Sequence, residues 1–317
     1  MANILVTGAK GFIGKHLSRL LASHGHRVSG LGHGDWSRVE ALNWGVSDWI
    51  DGDININNLR MLPAKTDLEI VFHLAGGSTV GAAISNPYGD FFRTVSSTIE
   101  LLEWLRLDMP SVRLVAVSSA AVYGSNKLGQ ISVDTDSEPY SPYGHHKKIM
   151  EDLCRSYADT YGLRCRVARL FSVYGTQLKK QLLWDICAKL VSGESSLLLG
   201  GTGKELRDWT HVEDVVIALS LIAFDEGFSE NNRLINVGTG VGTSVESVAQ
   251  FVINAWYDGG SSKDKCRLAF TKESRPGDPF SLIADPTKLS GANFTWNTQI
   301  NDGVREYVDW FRRTVDV

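Results

Sequence analysis

The sequence contains little cysteine and no long apolar run. Its 317 residues include four cysteines, none of them in a C-x-x-C pair. This excludes a disulfide-rich scaffold and argues against a cysteine-based metal site. No apolar run reaches the roughly 18 residues that a membrane span needs, and no basic, apolar leader precedes the first predicted strand. We therefore expect buried thiols, no metal, no membrane contact and a cytoplasmic protein.

An excess of positive charge is also missing. Lysine and arginine total 32 against 36 aspartates and glutamates, so the formal net charge is −4. This excludes a broad surface for nucleic acid, and a few local arginines would have to meet any anionic ligand. With 43% hydrophobic and 21% charged residues, the composition is that of a globular chain long enough for a full core.

The first fourteen residues form the strongest local pattern. An apolar run at Asn3–Thr7 is followed by glycines at 8, 11 and 14 and then by an amphipathic stretch at Lys15–Ser23, which predicts strand, turn and helix. Gly8 permits a tight turn, Gly11 lets the backbone approach a pyrophosphate, and Gly14 lets the helix pack close to the strand. The helix N-terminus then offers free N–H groups to phosphate. The alternative is an ordinary strand-to-helix turn.

Strand and helix patterns alternate over the first half of the chain. This alternation predicts an α/β fold, a Rossmann-type doubly wound parallel sheet over residues 1–170, with ligands beyond the carboxyl ends of its strands. Residues 171–317 are mixed and predict a smaller substrate lobe, although some of its elements can return to the first domain. The predicted strands are Asn3–Thr7, Arg27–Leu31, Val46–Ile50, Glu69–Leu74, Val112–Val117, Arg164–Leu170 and Leu234–Val237. The predicted helices include Phe91–Leu107, Tyr143–Tyr161, Gln181–Val191, Val212–Ala223, Ser244–Trp256 and Asp302–Phe311, and Thr202–Thr210 is predicted as a loop.

A second pattern, S-P-Y-G-H-H-K, begins at Ser141. Ser141 can cap a helix whose first residue is Pro142, and Tyr143 and Lys147 then lie four residues apart on one face. A phenol is a poor base at neutral pH, but a neighbouring ammonium and the helix dipole favour the phenolate. The pair could move a proton at a sugar hydroxyl or ketone; the alternative is a surface tyrosine and lysine.

Together these segments resemble the extended short-chain dehydrogenase/reductase family. The resemblance covers roughly residues 3–289 and points to the nucleotide-sugar branch of epimerases, dehydratases and reductases. It rests on the glycine turn T-G-A-K-G-F-I-G from Thr7, Tyr143 with Lys147, S-S-A-A-V-Y-G from Ser118, R-D-W-T-H-V-E-D-V from Arg207, N-V-G from Asn236, R-P-G-D from Arg275 and Ala284-Asp285.

The resemblance implies roles for particular residues. Tyr143 would be the acid/base, Lys147 would lower its pKa and hold the cofactor ribose, and Ser119 would hydrogen-bond the reacting oxygen. The implied cofactor residues are Gly8, Lys10, Gly11, Phe12, Ile13, Gly14, His33, Arg38, Asp53, Ile54, Leu74, Ala75, Gly76 and Lys147, with Asp53 at the adenine. The implied substrate residues are Ser119, Tyr143, Ser172, Arg207 and Arg275, the two arginines meeting the diphosphate.

The end of the second predicted strand departs from the pattern of an NAD enzyme. Gly32 lies 24 residues after Gly8, where an NAD enzyme has a carboxylate for the ribose 2′-hydroxyl. His33, Ser37 and Arg38 could instead face a 2′-phosphate, so the sequence favours NADP(H) over NAD(H), unless Asp35 folds back.

Other departures bear on the reaction. Ser118-Ser119-Ala120-Ala121 lacks the Asp-Glu pair of the family's dehydratases, so no acid and base for water elimination are evident. Ser172 and Thr94 stand where related epimerases have Asn. The sequence favours NADPH-dependent reduction of a 4-keto(-6-deoxy) nucleotide sugar, with an NAD-dependent nucleotide-sugar 4-epimerase as the alternative and a non-catalytic dinucleotide sensor as a remote one. The family also implies a homodimer.

Overall fold

The computed structural model describes residues 1–62, 67–125, 127–228, 233–257, 266–273 and 279–315. Its strands are β1 (Asn3–Thr7), β2 (Arg27–Gly32), β3 (Val46–Asp51), β4 (Leu68–His73), β5 (Arg113–Ser119), β6 (Gln130–Ile131), β7 (Arg164–Leu170), β8 (Ser172–Tyr174), β9 (Ser196–Leu199), β10 (Leu206–His211), β11 (Leu234–Val237), β12 (Gly242–Ser244), β13 (Arg267–Phe270) and β14 (Ser281–Ala284). Its α-helices are α1 (Phe12–Ser23), α2 (Arg38–Asn43), α3 (Ile56–Arg60), α4 (Val80–Ser85), α5 (Pro87–Phe91), α6 (Ser97–Asp108), α7 (Pro142–Tyr161), α8 (Gln181–Val191), α9 (Val212–Phe224), α10 (Val245–Trp256), α11 (Thr287–Gly291) and α12 (Ile300–Val315). Across these residues no helix is both long enough and apolar enough to span a bilayer.

A seven-stranded sheet forms the centre of the molecule. Its strand order is β11-β7-β5-β4-β1-β2-β3, and all six neighbouring pairs are parallel. Parallel strands with continuous apolar runs must be covered on both faces. One core packs α1 and α9 against the sheet, and a second packs α3, α6 and α7 against the other face. The predicted Rossmann-type fold is confirmed.

The remaining strands build a smaller lobe. A second sheet has the order β12-β10-β14-β6, with β8 also paired to β10, and β9 pairs with β13. A third core joins α8, α10 and α12. The predicted loop at Thr202–Thr210 is wrong in its second half, because residues 206–211 form β10 and pair with β8, β12 and β14.

Two elements from the second half of the chain lie with the first. β11 is the edge strand of the large sheet, beside β7, and α9 packs in the core that contains α1. The boundary at residue 170 itself stays a prediction.

The helix predicted at Phe91–Leu107 is interrupted. Asn86 caps α5, which ends at Phe91, and a π-helical turn at Phe92–Ser96 precedes α6. The Ser97 and Thr98 hydroxyls donate to the carbonyls of Arg93 and Thr94 at 2.6 Å each. Such side-chain bonds compete with the backbone ladder and bend helices.

Candidate active site

The glycine turn has the geometry of a phosphate cradle. Gly8 has φ +74°, and Gly11 stands at the N-cap of α1 with no side-chain cap. A Cβ on Gly14 would lie 2.2 Å from the Gly8 carbonyl oxygen, and one on Gly8 would lie 3.0 Å from the Ala75 nitrogen. Only glycine therefore fits at positions 8 and 14, and the first turn of α1 leaves its N–H groups for an anion.

A cavity of about 1330 Å³ lies at the carboxyl ends of the large-sheet strands and extends to the smaller lobe. Strands β1, β2, β4, β5 and β7 open into it, and β10 and β14 of the lobe line its other side. Most of the residues singled out in the sequence line this cavity: Gly8, Lys10, Gly11, Phe12, Ile13, Gly14, His33, Asp53, Ile54, Leu74, Ala75, Gly76, Ser119, Tyr143, Lys147, Ser172 and Arg207.

Among the predicted residues that the structure describes, Arg38 is set apart from this cavity. Arg38 is exposed and does not line the cavity. It is the first residue of α2, whose start is fixed by a capping box in which the Ser37 hydroxyl and Glu40 bond reciprocally. A role for Arg38 at the cofactor stays a prediction, and Ser37 is held by the cap. Arg275 lies outside the described residues.

The three predicted catalytic residues come from two adjacent elements. Ser119 ends β5, while Tyr143 and Lys147 lie in the first turns of α7, which Ser141 caps by accepting from the Gly144 nitrogen at 3.2 Å. The Tyr143 phenol and the Ser119 hydroxyl are hydrogen-bonded. The Lys147 ammonium lies 6.0 Å from the centre of the Tyr143 ring and donates to the Val117 carbonyl at 2.9 Å.

The electrostatics of this trio differ from the simple expectation. Burial raises the pKa of Tyr143, the Ser119 hydrogen bond lowers it in part, and the Asp90 carboxylate raises it. Burial lowers the pKa of Lys147 to about 8, against the opposing effect of Asp90 and Glu151. Burial thus favours the neutral phenol of Tyr143, and it makes the Lys147 ammonium easier to deprotonate than an exposed one.

Glu151 lies on α7 one helical turn after Lys147. Arg169 donates to both of its carboxylate oxygens, at 2.9 and 2.6 Å, and the Ser118 hydroxyl donates to it at 2.6 Å. Both members of this ion pair are nearly fully buried. The i,i+4 spacing from Lys147 could have indicated Glu151, whereas nothing local pairs it with Arg169.

Carboxylates are present near the end of β2, although β2 itself ends in glycine. His33 Nε2 donates to Asp53 Oδ1 at 2.9 Å, and both side chains are exposed. The Gly34 nitrogen donates to Asp51 Oδ1, also at 2.9 Å. Asp51 ends β3 and Asp53 follows it, so both reach the end of β2 only through strand pairing.

Two side chains that the sequence did not single out as site residues, Lys180 and Trp209, also line the cavity. Lys180 donates to the Ser78 hydroxyl at 2.9 Å and so links the start of α8 to the loop after β4. Trp209 lines the same region from β10, near Arg207. Thr94 accepts from the Gly77 nitrogen at 2.8 Å and thus supports that loop. Within the described ranges, no three His, Cys, Asp or Glu side chains are grouped as metal ligands.

Comparison with known proteins identifies the family. The profile of the NAD dependent epimerase/dehydratase family matches residues 4–238, more than half of the chain. The chain belongs to this family. The resemblance found in the sequence is confirmed, and the protein is an NAD(P)-dependent enzyme of the nucleotide-sugar type.

Several members of the epimerase/dehydratase family are similar over most of their length. A UDP-glucose 4-epimerase of Mycolicibacterium smegmatis is 32% identical over 79% of this chain and 82% of its own. The crystal structure of the Thermotoga maritima UDP-glucose 4-epimerase with UDP-glucose superposes with TM-score 0.85 at 27% identity, covering 99% of both chains. The Thermus thermophilus UDP-glucose 4-epimerase in complex with NAD gives TM-score 0.82 at 26% identity, covering 98% and 99%.

Proposed function

We propose that this protein is a nucleotide-sugar 4-epimerase of the UDP-hexose type that works with NAD. The observation that carries the proposal is the meeting of Ser119, Tyr143 and Lys147 with the glycine turn in one cavity of about 1330 Å³. Such a volume suits a dinucleotide together with a nucleotide sugar. The names of the similar proteins support epimerisation over the reduction that the sequence favoured.

The residues around the glycine turn fit a dinucleotide. The α1 N-terminus and the close approach at Gly8 and Gly14 would hold its pyrophosphate, and Asp53 and Ile54 would flank its adenosine. Gly76, whose Cβ would lie 3.4 Å from the Lys147 nitrogen, would leave room for the ribose. When bound, NAD⁺ would supply the hydride acceptor of the reaction.

The chain's own residues would manage the proton at the sugar 4-oxygen. Tyr143 would take the hydroxyl proton as the carbon is oxidised and return it after the sugar has turned, and Ser119 would donate to the same oxygen. The Lys147 ammonium would stabilise the phenolate, since opposite charge nearby favours the charged form of an acid. Arg207 would bind the diphosphate from the lobe.

We favour NAD over NADP because the end of β2 suits a hydroxyl better than a phosphate. His33 is hydrogen-bonded to Asp53, whose negative charge would oppose a 2′-phosphate. Arg38, which could have bound that phosphate, does not line the cavity.

Two measurements test the proposal. Mass spectrometry of ligands released from the purified protein should find NAD, and the protein should interconvert the gluco and galacto forms of a UDP-hexose. Tyr143→Phe should reduce the rate by about 10²-fold or more, the usual contribution of an acid/base, while NAD stays bound. Bound NADP, or full activity of Tyr143→Phe, would contradict the proposal. Oxidation of NADPH with a 4-keto-6-deoxy nucleotide sugar would instead support the reductase.

A further inference from the structure

A buried carboxylate that has no part in the scheme above lies beside the catalytic helix. Asp90, on α5, is 1% exposed, and His146 of α7 donates its Nδ1 proton to Asp90 Oδ2 at 2.6 Å. The His146 ring also meets the Phe91 ring edge-on at 5.5 Å between centroids. Because His146 lies between Tyr143 and Lys147 in the chain, this contact ties α5 to the part of α7 that carries both.

The other carboxylate oxygen of Asp90 faces the loop after β4. Oδ1 is buried and has no hydrogen-bond partner among the described residues. A Cβ on Gly77 would lie 1.8 Å from it, so this loop packs directly on the carboxylate. The same loop is held by Thr94, which accepts from the Gly77 nitrogen. Asp90 is therefore packed between α7 and the loop after β4, which lines the cavity.

The charge of Asp90 reaches both groups that would move or stabilise the proton. Burial is the main cause that raises the pKa of Tyr143, and Asp90 raises it further. For Lys147 burial lowers the pKa to about 8, and Asp90 opposes this more strongly than Glu151 does. A buried ammonium stays charged only when negative groups offset its desolvation, and Asp90 is one of these.

The surroundings of Asp90 contain few other charges. The titratable side chains facing it from α7 are His146, Tyr143 and Lys147, and Arg93 follows on the adjacent π-helical turn. The packed helix α4, Val-Gly-Ala-Ala-Ile-Ser, brings none, and neither does the loop from Leu74 to Thr79. A change in the charge of Asp90 should therefore be felt chiefly by the catalytic helix.

We propose that Asp90 is a positioning residue of this active site: through His146 it holds α7, through Gly77 it holds the loop after β4, and its carboxylate supplies negative charge beside Tyr143 and Lys147. The inference rests on the proposed function only in taking Tyr143 and Lys147 as the acid/base pair. No local sequence pattern joins residues 90 and 146, which are 56 positions apart.

The effect of the Asp90 charge on Tyr143 and Lys147 is tested with Asp90→Asn, which keeps the shape of the side chain. Removing a negative charge favours deprotonation of every neighbouring group, so both limbs of the pH–rate profile should move to lower pH by about half a unit or more. The phenolate titration of Tyr143, read as the ultraviolet difference between each protein and its Tyr143→Phe partner, should move the same way. This titration does not require turnover, so it tests the role of Asp90 even if the protein epimerises no UDP-hexose.

A matched control is Glu213, a second carboxylate that accepts from a buried histidine. Glu213 accepts from His16 Nδ1 at 2.7 Å and does not line the cavity, so Glu213→Gln should leave both titrations in place. If Asp90→Asn does not fold, Asp90→Ser removes the same charge with a smaller side chain and should give the same direction. The proposal would be overturned if Asp90→Asn lowered the maximal rate but left both limbs of the pH–rate profile and the Tyr143 titration at the same pH.

Discussion

At the scale of single residues, the chemistry of this protein depends on which proton a buried group holds. His73 at the end of β4 illustrates this. Its Nδ1 lies 2.8 Å from the Thr7 hydroxyl and its Nε2 lies 3.0 Å from the Thr98 hydroxyl. Thr98 already donates to the Thr94 carbonyl, so it must accept from His73 Nε2–H, and Thr7 must donate to Nδ1. The neutral tautomer is thus defined by its neighbours.

His73 predicts a pH dependence of stability. Burial lowers its folded pKa from 6.5 to about 3, so below pH 6.5 the unfolded chain binds a proton that the folded chain does not. The free energy of unfolding should fall by about 1 kcal/mol from this site between pH 6.5 and 5.5. Urea unfolding at both pH values should show that His73→Gln removes this component. His145→Gln, at an exposed histidine, serves as the control and should leave it unchanged.

Lys147 predicts a loss of activity in mild alkali. Its pKa of about 8 means that the ammonium is present below that pH and lost above it, and with it the charge that favours the phenolate. In Lys147→Arg the guanidinium stays protonated, so we expect a lower rate but no decline above pH 8. Rates measured across that range test this, with Lys148→Arg on the same helix as control. An identical alkaline decline in Lys147→Arg would contradict the assignment.

At the scale of elements, close approach of backbone decides where the cofactor can lie. Strand β1 and helix α1 are joined by residues 8–11, and the carbonyl of Gly8 occupies space that a Cβ on Gly14 would need. A second close contact of this kind occurs where Gly77 packs on Asp90. Both glycines let a segment that lines the cavity pack directly on the residues behind it.

The glycine turn predicts that alanine at position 14 destabilises the protein more than alanine at position 291. Gly14→Ala places a methyl group 2.2 Å from the Gly8 oxygen, so α1 must shift, which should cost about 2 to 4 kcal/mol of stability and weaken NAD retention. Gly291→Ala, at the end of α11, meets nothing within 4 Å and should change stability by less than about 0.5 kcal/mol. Thermal unfolding and cofactor content measure both effects. Equal stability of the two variants would show that α1 can relax freely.

At the scale of the whole molecule, the cavity lies where one chain segment passes between the two sheets. β7 ends at Leu170 in the large sheet, and β8 begins at Ser172 and pairs with β10 of the lobe. From β10 the buried Asp208 accepts from the nitrogens of Thr239 and Gly240, just after β11. The lobe is therefore joined to the large sheet by the chain at this crossing and by the hydrogen bonds that Asp208 accepts after β11. Assembly into a homodimer stays a prediction.

We expect a substitution of Arg207 to weaken substrate binding and to leave the catalytic rate little changed. It lines the cavity from β10, in the lobe rather than on the catalytic helix. Arg207→Ala should raise KM for the nucleotide sugar by about 10- to 100-fold, the usual effect of losing a charge-assisted bond, with kcat little changed. Calorimetric titration with UDP should show the same loss. Arg267→Ala, at an exposed arginine of β13, should bind normally, and a kcat loss without a KM change would contradict the role.

The sequence by itself determined the Rossmann-type sheet, the glycine turn, the capped helix α7 and the family, because each is indicated by short segments whose residues lie close together in the chain. Tertiary structure alone decided that Arg38 lies outside the cavity, that Asp53 reaches His33, that Glu151 pairs with Arg169 and that Asp90 meets His146. These contacts join residues 18 to 56 positions apart, and no local period encodes such separations. They arise only when strands and helices pack, and the same packing sets the pKa values of Tyr143 and Lys147 through burial.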